Sequence, residues 1–237
     1  MNLKQFLAMV LMGSAVGIGV AGCATLSSTQ AVPAPNLEET IAAVAQWEYG
    51  RNRAPLVAAE QALNACRTDA QRAAAEAAPL KLARDSAAPR AARQFALQQL
   101  GRFGTETSVE PLLQLLADSE LGPDAAAALD RMRTPATDRR LRERLSALPP
   151  PLQAHVLRIL GNHADAESVS ALEPFVRSDH AELSTLAVRA LGRIGSPAAA
   201  DLLIRHADVA ARAGPQGGWD AMLSCLDAAV QRGDRLI

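Results

Sequence analysis

Phe95-Ala-Leu-Gln-Gln-Leu-Gly-Arg-Phe-Gly104 returns as His155-Val-Leu-Arg-Ile-Leu-Gly-Asn-His-Ala164 and again as Leu186-Ala-Val-Arg-Ala-Leu-Gly-Arg-Ile-Gly195. Leu100, Leu160 and Leu191 share one slot, and a degenerate copy, Ala125-Ala-Ala-Ala-Leu-Asp-Arg-Met132, puts Leu129 in it. The steps between these leucines are 29, 31 and 31 residues, and a weak copy around Leu226 comes 35 residues later without the glycine. A fixed period of this size marks a supersecondary unit that cannot bury its apolar face alone and stacks on its neighbours instead.

Each phrase is followed by a second apolar stretch: Ser108-Val-Glu-Pro-Leu-Leu-Gln-Leu-Leu116, Ser168-Val-Ser-Ala-Leu-Glu-Pro-Phe-Val176, and Ser196-Pro-Ala-Ala-Ala-Asp-Leu-Leu-Ile204. One period therefore holds two helices. Gly101, Gly161 and Gly192 suit the C-terminal end of the first helix, where a left-handed residue is often required. Ser196-Pro197 suits a helix start, serine as cap and proline in the first turn.

Composition agrees. The chain has 237 residues and is 49% apolar, which excludes a disordered polymer. Its apolar share is mostly Ala and Leu with 3% aromatics, a mixture that favours closely packed helices over strands. The fold expected is all-α: a right-handed α-solenoid of about five to six helix pairs. Residues 89–208 hold the clear repeats. Residues 36–88 read as atypical N-terminal capping layers with helices at 37–49, 53–65 and 69–84, and residues 209–237 as a C-terminal cap with a helix at 218–231.

The alternation of Ala-rich helix, Leu-Gly-x-Ile/Phe-Gly turn and Ser-Val-x-Pro-Leu-like helix resembles HEAT repeats, especially the short bacterial kind similar to phycobilisome-lyase HEAT-like repeats, over about residues 90–208. The resemblance implies a scaffold or adaptor that grips a protein partner along a concave face lined by the second helices. Lyase-type relatives attach or remove bilins, but no motif in this chain carries that activity over.

The N-terminus gives an address. Lys4 is followed by an apolar run from Phe6 to Val20 and then Val20-Ala-Gly-Cys23, the layout of an export signal. Val-Ala-Gly-Cys resembles the lipobox of bacterial lipoproteins. That resemblance implies that residues 1–22 are a cleaved signal peptide and that Cys23 becomes the acylated first residue, carrying diacylglycerol and palmitate-type chains. Gly13, Gly17, Gly19 and Gly22 argue against an uncleaved membrane span, which would be short as well as broken. By the same resemblance Ala24, where Asp would mark inner-membrane retention, points to the outer membrane, facing the periplasm. Residues 23–35 hold turn formers and two prolines, and read as a tether.

The candidate sites are few. Formal charge is −1, and without residues 1–22, whose one charged group is Lys4, it is −2; no basic excess for nucleic acid exists. Cys66 and Cys225 stand about five repeats apart, too far for a disulfide, and read as two buried unpaired thiols. His155, His163, His180 and His206 show no metal-ligand spacing, and His163 and His180 fall at turns, where solvation is expected. Phosphate loops, nucleophile elbows and haem-attachment motifs are absent, so no cofactor is expected. Trp47, Tyr49 and Trp219 read as plugs for the ends of the stack.

The feature that departs from the repeat is Thr137-Asp-Arg-Arg-Leu-Arg-Glu-Arg-Leu-Ser-Ala-Leu148. Leu141, Leu145 and Leu148 form its buried stripe, and Arg139, Arg140, Arg142 and Arg144 fill the other faces. On a concave surface these guanidiniums would fork onto a partner's carboxylates or phosphates. The alternative is a solvated face neutralised along its own helix by Asp138 and Glu143. Taken together, the sequence reads as a non-enzymatic, lipid-anchored protein-interaction module of the cell envelope, a monomer or part of a hetero-complex. The competing class is a non-catalytic or lyase-like subunit of an envelope enzyme system, with His155 or His206 beside acidic groups as its signature.

Overall fold

A computed structural model of the chain describes residues 37–212 and 220–232, all within the larger of two compact units, residues 34–237. The signal peptide, Cys23, the tether and Trp219 lie outside the described residues. The described regular structure is helical throughout: α1 (Leu37–Val44), α2 (Ala54–Asn64), α3 (Asp69–Arg84), α4 (Arg90–Phe103), α5 (Val109–Leu115), α6 (Gly122–Arg131), α7 (Pro135–Leu145), α8 (Pro150–His163), α9 (Val169–Val176), α10 (Ala181–Ile194), α11 (Pro197–Arg205), α12 (Ala207–Arg212) and α13 (Asp220–Arg232). Single 3-10 turns, Glu106–Ser108 and Ala166–Ser168, lead into α5 and α9.

Local chemistry sets the helix starts. Thr68 and Gln71 form a reciprocal capping box for α3, Thr134 caps α7 ahead of Pro135, and Ser196 Oγ accepts from Ala199 N at 3.2 Å with Pro197 in the first turn of α11. Helix α1 ends at Val44, five residues before the expected 49, because the chain leaves through a turn closed by Gly50 at φ 84°.

Helices α4, α6, α8, α10 and α13, of 14, 10, 14, 14 and 13 residues, form one row, the long row, each against the next. The helices of the short row, 7, 11, 8 and 9 residues long, each pack on the member of the long row that follows: α5 on α6, α7 on α8, α9 on α10 and α11 on α13, and the 16-residue α3 packs on α4 in the same way. With α1 and α2 this makes six pairs among the described residues, and from α5 onward the short-row helix comes first in each pair, whereas the sequence phrase begins on the long-row helix. The architecture is an α-solenoid. Leu100, Leu129, Leu160 and Leu191, the shared slot of the repeat, are fully buried, and truncating any of them to Ala carries a cost of about 2–5 kcal/mol.

The repeat glycines do a different job from the one expected. Gly101, Gly161 and Gly192 lie inside α4, α8 and α10, not at their C-caps. A Cβ at these positions would stand 3.0 Å from Ala128 Cα, 2.7 Å from Ala190 Cα and 2.5 Å from Ala221 Cα on the next long helix. They let backbones meet, the small-residue solution to close helix packing. The left-handed C-caps are Ala164 at φ 56° and Gly195 at φ 61°. Gly192 on Ala221 also places Met222, not Leu226, in the slot of Leu191, so the last step keeps the 31-residue period.

One junction breaks the rule. Where Gly101, Gly161 and Gly192 stand, α6 has Asp130, and where Ala128, Ala190 and Ala221 stand, α8 has Ile159. A carboxylate and a branched side chain in this register keep the helices apart, and α6 meets α8 far more sparsely than α4 meets α6 or α8 meets α10. Polar bonds bridge the space. Asn162 Nδ2 donates to Asp130 Oδ1 at 2.6 Å, Arg193 donates to Asn162 Oδ1, and the His163 ring lies between Asp138 Oδ1 at 2.5 Å and the Asp130 carbonyl at 2.9 Å.

Candidate partner-binding face

The short helices α5, α7, α9 and α11 form the second row, and their charges alternate by layer. Helix α5 with its leading turn contributes Glu106 and Glu110, α7 its arginines, α9 with its leading turn Asp165, Glu167 and Glu173, and α11 Arg205. Arg139 Nη2 donates to Glu106 Oε2 at 2.8 Å, and Arg144 Nε stands 2.8 Å from Glu110 Oε2 while its Nη2 donates to Oε1 at 3.0 Å. On the opposite side Arg142 donates to Asp165 and, at 2.7 Å, to Glu167 Oε2. Arg205 Nη1 donates to Glu173 Oε1 at 3.4 Å. The arginine helix is thus clamped between two acidic layers.

Pairing along α7 itself is secondary. Arg140 reaches Glu143 at 3.2 Å and Arg139 reaches it at 4.0 Å, as charge spacing on one helix would have it. Asp138 does not share in this: it turns inward to His163. The four arginines differ in exposure and in what they pair with. Arg142, with 16% of its side chain exposed, and Arg144, at 39% and bonded through Nη2 to Glu110, are interlayer clamps. Arg139 at 58% and Arg140 at 46% face solvent beside Thr107 and Glu143, around an open depression of about 530 Å3.

Two buried carboxylates hold the repeats in register: Glu76, which the sequence reading passed over, and Asp138, which it gave to the arginines of its own helix. Glu76 of α3 is 2% exposed; it accepts from Thr105 N at 2.9 Å, from Thr105 Oγ1 at 2.7 Å and from Ser108 Oγ, capping the turn after α4. Asp138 of α7 does the same for the end of α8 through His163. That ring is 1% exposed, contrary to the solvated histidine expected at a turn. Both its nitrogens lie within hydrogen-bond reach of oxygens, Nδ1 of Asp138 Oδ1 and Nε2 of the Asp130 carbonyl, so the ring is held from both sides. His180, by contrast, is exposed.

His155 lies with Nδ1 2.6 Å from Arg158 Nη2. Burial, then the Arg158 guanidinium, lowers its pKa below the usual 6.5, with Glu182 opposing. Cys225 is buried as expected and its Sγ donates to Leu191 O at 3.3 Å; Cys66 is only half-buried and donates to Ala62 O at 3.7 Å. Trp47 packs against the core, but Tyr49 is 71% exposed, so it is no plug. Among the described residues no three His, Cys, Asp or Glu side chains gather to hold a metal ion, and no helix is long and apolar enough to cross a membrane.

Comparison with known proteins adds three findings. Residues 139–213 match the family of HEAT repeats, and residues 92–118 match the PBS lyase HEAT-like repeat. None of the curated proteins matches the chain. Among solved structures, the crystal structure of an engineered protein aligns over 84% of this chain and 97% of its own, at 17% identity and a TM-score of 0.41.

Proposed function

We propose that this HEAT-repeat protein is a lipid-anchored scaffold of the bacterial cell envelope, holding a protein partner against its row of short helices without chemistry of its own. HEAT repeats as a class mediate protein–protein interaction. The observation that carries the reading is the division of labour on α7: Arg142 and Arg144 are taken up by neighbouring layers, whereas Arg140 pairs only with Glu143 of its own helix and Arg139, though bonded to Glu106, keeps more than half of its side chain exposed beside it. A preformed surface binds with less ordering cost than a flexible one. The acylated Cys23 and the tether supply the membrane attachment in this reading, from the lipobox-like Val20-Ala-Gly-Cys23.

A photo-cross-linker at position 140 in membranes of the native host should trap one protein adduct, and one at position 158 on α8 should not. Arg139→Glu with Arg140→Glu should abolish the adduct formed from a cross-linker at position 107. Adducts of equal yield from 140 and 158 would contradict the face assignment. Radiolabelled palmitate should enter the wild type and not Cys23→Ser, and continued labelling would contradict the anchor.

A further inference from the structure

Aromatic residues are scarce in this chain, seven in all, yet Trp47, Tyr49 and Phe95 converge on one open cleft of about 410 Å3 at the N-terminal layer. The turn between α1 and α2 carries two of them, and it is pinned. Trp47 Nε1 donates to Asn52 O at 3.0 Å, the Tyr49 hydroxyl donates to Gln94 Oε1 at 2.6 Å, and the two rings meet edge to face with centroids 5.5 Å apart. Gln94 in turn donates to Asp124 Oδ2 at 2.7 Å, which ties this arrangement to the second repeat. The Tyr49 ring is therefore held against Trp47 and at its hydroxyl tip while remaining mostly exposed. A ring serving only the core would be covered. Space in front of the turn is free, since nothing lies within 4 Å of where a Cβ on Gly50 would be.

The polar lining completes the picture. Glu60, Gln98 and Arg53 border the cleft, and among the described residues the side chains of these three make no hydrogen bond or ion pair. Glu60 is half-buried at this border. A flat aromatic face bordered by an amide, a carboxylate and a guanidinium offers C–H stacking together with paired donors and acceptors. A pyranose ring makes that combination of demands, with one face of C–H groups and a rim of hydroxyls that both donate and accept. The opposed charges of Glu60 and Arg53 select against a simple anion or cation; a quaternary ammonium would have the aromatic faces but also a guanidinium against it.

We propose that the Trp47–Tyr49 cleft is a saccharide-binding site, with a pyranose stacked on Tyr49 and its hydroxyls bonded to Glu60, Gln98 and Arg53. The site is separate from the short-helix face and independent of the partner and anchor readings. In a full-length Trp219→Phe background Trp47 is the sole tryptophan, so its fluorescence reports on the cleft. Chitotriose and cellotriose serve as probes, with tetramethylammonium and a proline-rich peptide as alternatives. At least one saccharide should produce a saturable change, weakened tenfold or more by Tyr49→Ala and several-fold by Glu60→Gln or Gln98→Ala, with helical circular dichroism unchanged. Should Tyr49→Ala fail to fold, the Glu60 and Gln98 variants decide. No saturable change with either saccharide, a change with the ammonium or the peptide alone, or saccharide affinity unaltered in the folded variants would overturn the proposal.

Discussion

The junction of α8 with α10 and the junction of α6 with α8 join equivalent helices by opposite means. In the first, Gly161 meets Ala190 backbone to backbone, with no room for one methyl group. In the second, Asp130 and Ile159 occupy the corresponding positions, and the gap is bridged by Asn162, His163 and Asp138. The apolar seam draws on dispersion and burial, which tolerate temperature and pH but no added volume. The polar seam accepts larger side chains, yet it depends on every buried group keeping its partner. A repeat array is only as cooperative as its neighbour contacts, so this difference fixes where the stack parts first.

The largest effect is expected at the polar seam. Asp138→Ala leaves the buried His163 ring without its carboxylate partner and should cost about 3 kcal/mol, measured by urea unfolding, the upper end of the range for a buried polar group left unsatisfied. A loss below about 1 kcal/mol would show that the pair does not hold the seam. Next comes the apolar seam: Gly161→Ala and Gly192→Ala should each cost about 1–3 kcal/mol by overpacking. Asp130→Ala, in the same register, makes no such clash, and its cost should come only from the lost Asn162 bond, about 1 kcal/mol.

Among the clamps, Arg142→Ala should cost about 1–2 kcal/mol, since it leaves Asp165 without its guanidinium. Arg139→Ala should cost no more than about 0.5 kcal/mol, as exposed pairs do. Equal losses would erase the division between clamp and free surface on α7. The smallest effects are those of pH. His155 has a folded pKa below 6.5, so the folded state resists its protonation, and stability should fall as pH drops through 6.5 towards the lower folded value. Asp118 accepts from the backbone N–H groups of Leu121 and Glu120 and lies beside Arg93, which holds its pKa below 3.8. Its contribution is present above 3.8 and is lost as pH falls through the lower folded value. His155→Gln should remove the first slope and leave the second, as pH-dependent urea midpoints would show.

The period, the leucine slot and the serine and threonine caps were legible because each is a local or periodic signal. What was misread depends on partners 23 to 33 residues away, such as Arg142 with Asp165, Asp138 with His163, Glu76 with Ser108, and His163 with Asp130. Some clues were nevertheless in the repeat. His163 occupies the slot that holds Phe103 and Ile194 in the other copies, an apolar position, so a buried ring could have been inferred there. Asp130 in a glycine slot likewise marked an altered junction. Glu76 is a single acid in the run Ala73-Ala-Ala-Glu-Ala-Ala78, on the face that Ala75, Pro79 and Leu82 bury. The glycines were read as caps because a Leu-Gly pair near a helix end is also the local signal for one; only the neighbouring helix shows the other use. Tyr49 carried no signal of its exposure beyond the turn formers around it.

Native-state hydrogen exchange, followed by mass spectrometry at low denaturant, tests the stack most directly. Single-file helices with one polar seam should open in two blocks, residues 90–131 and 150–205, each with its own opening free energy, and Asp138→Ala should widen that difference. One opening free energy shared by both blocks, in the wild type and in the variant alike, would contradict the account.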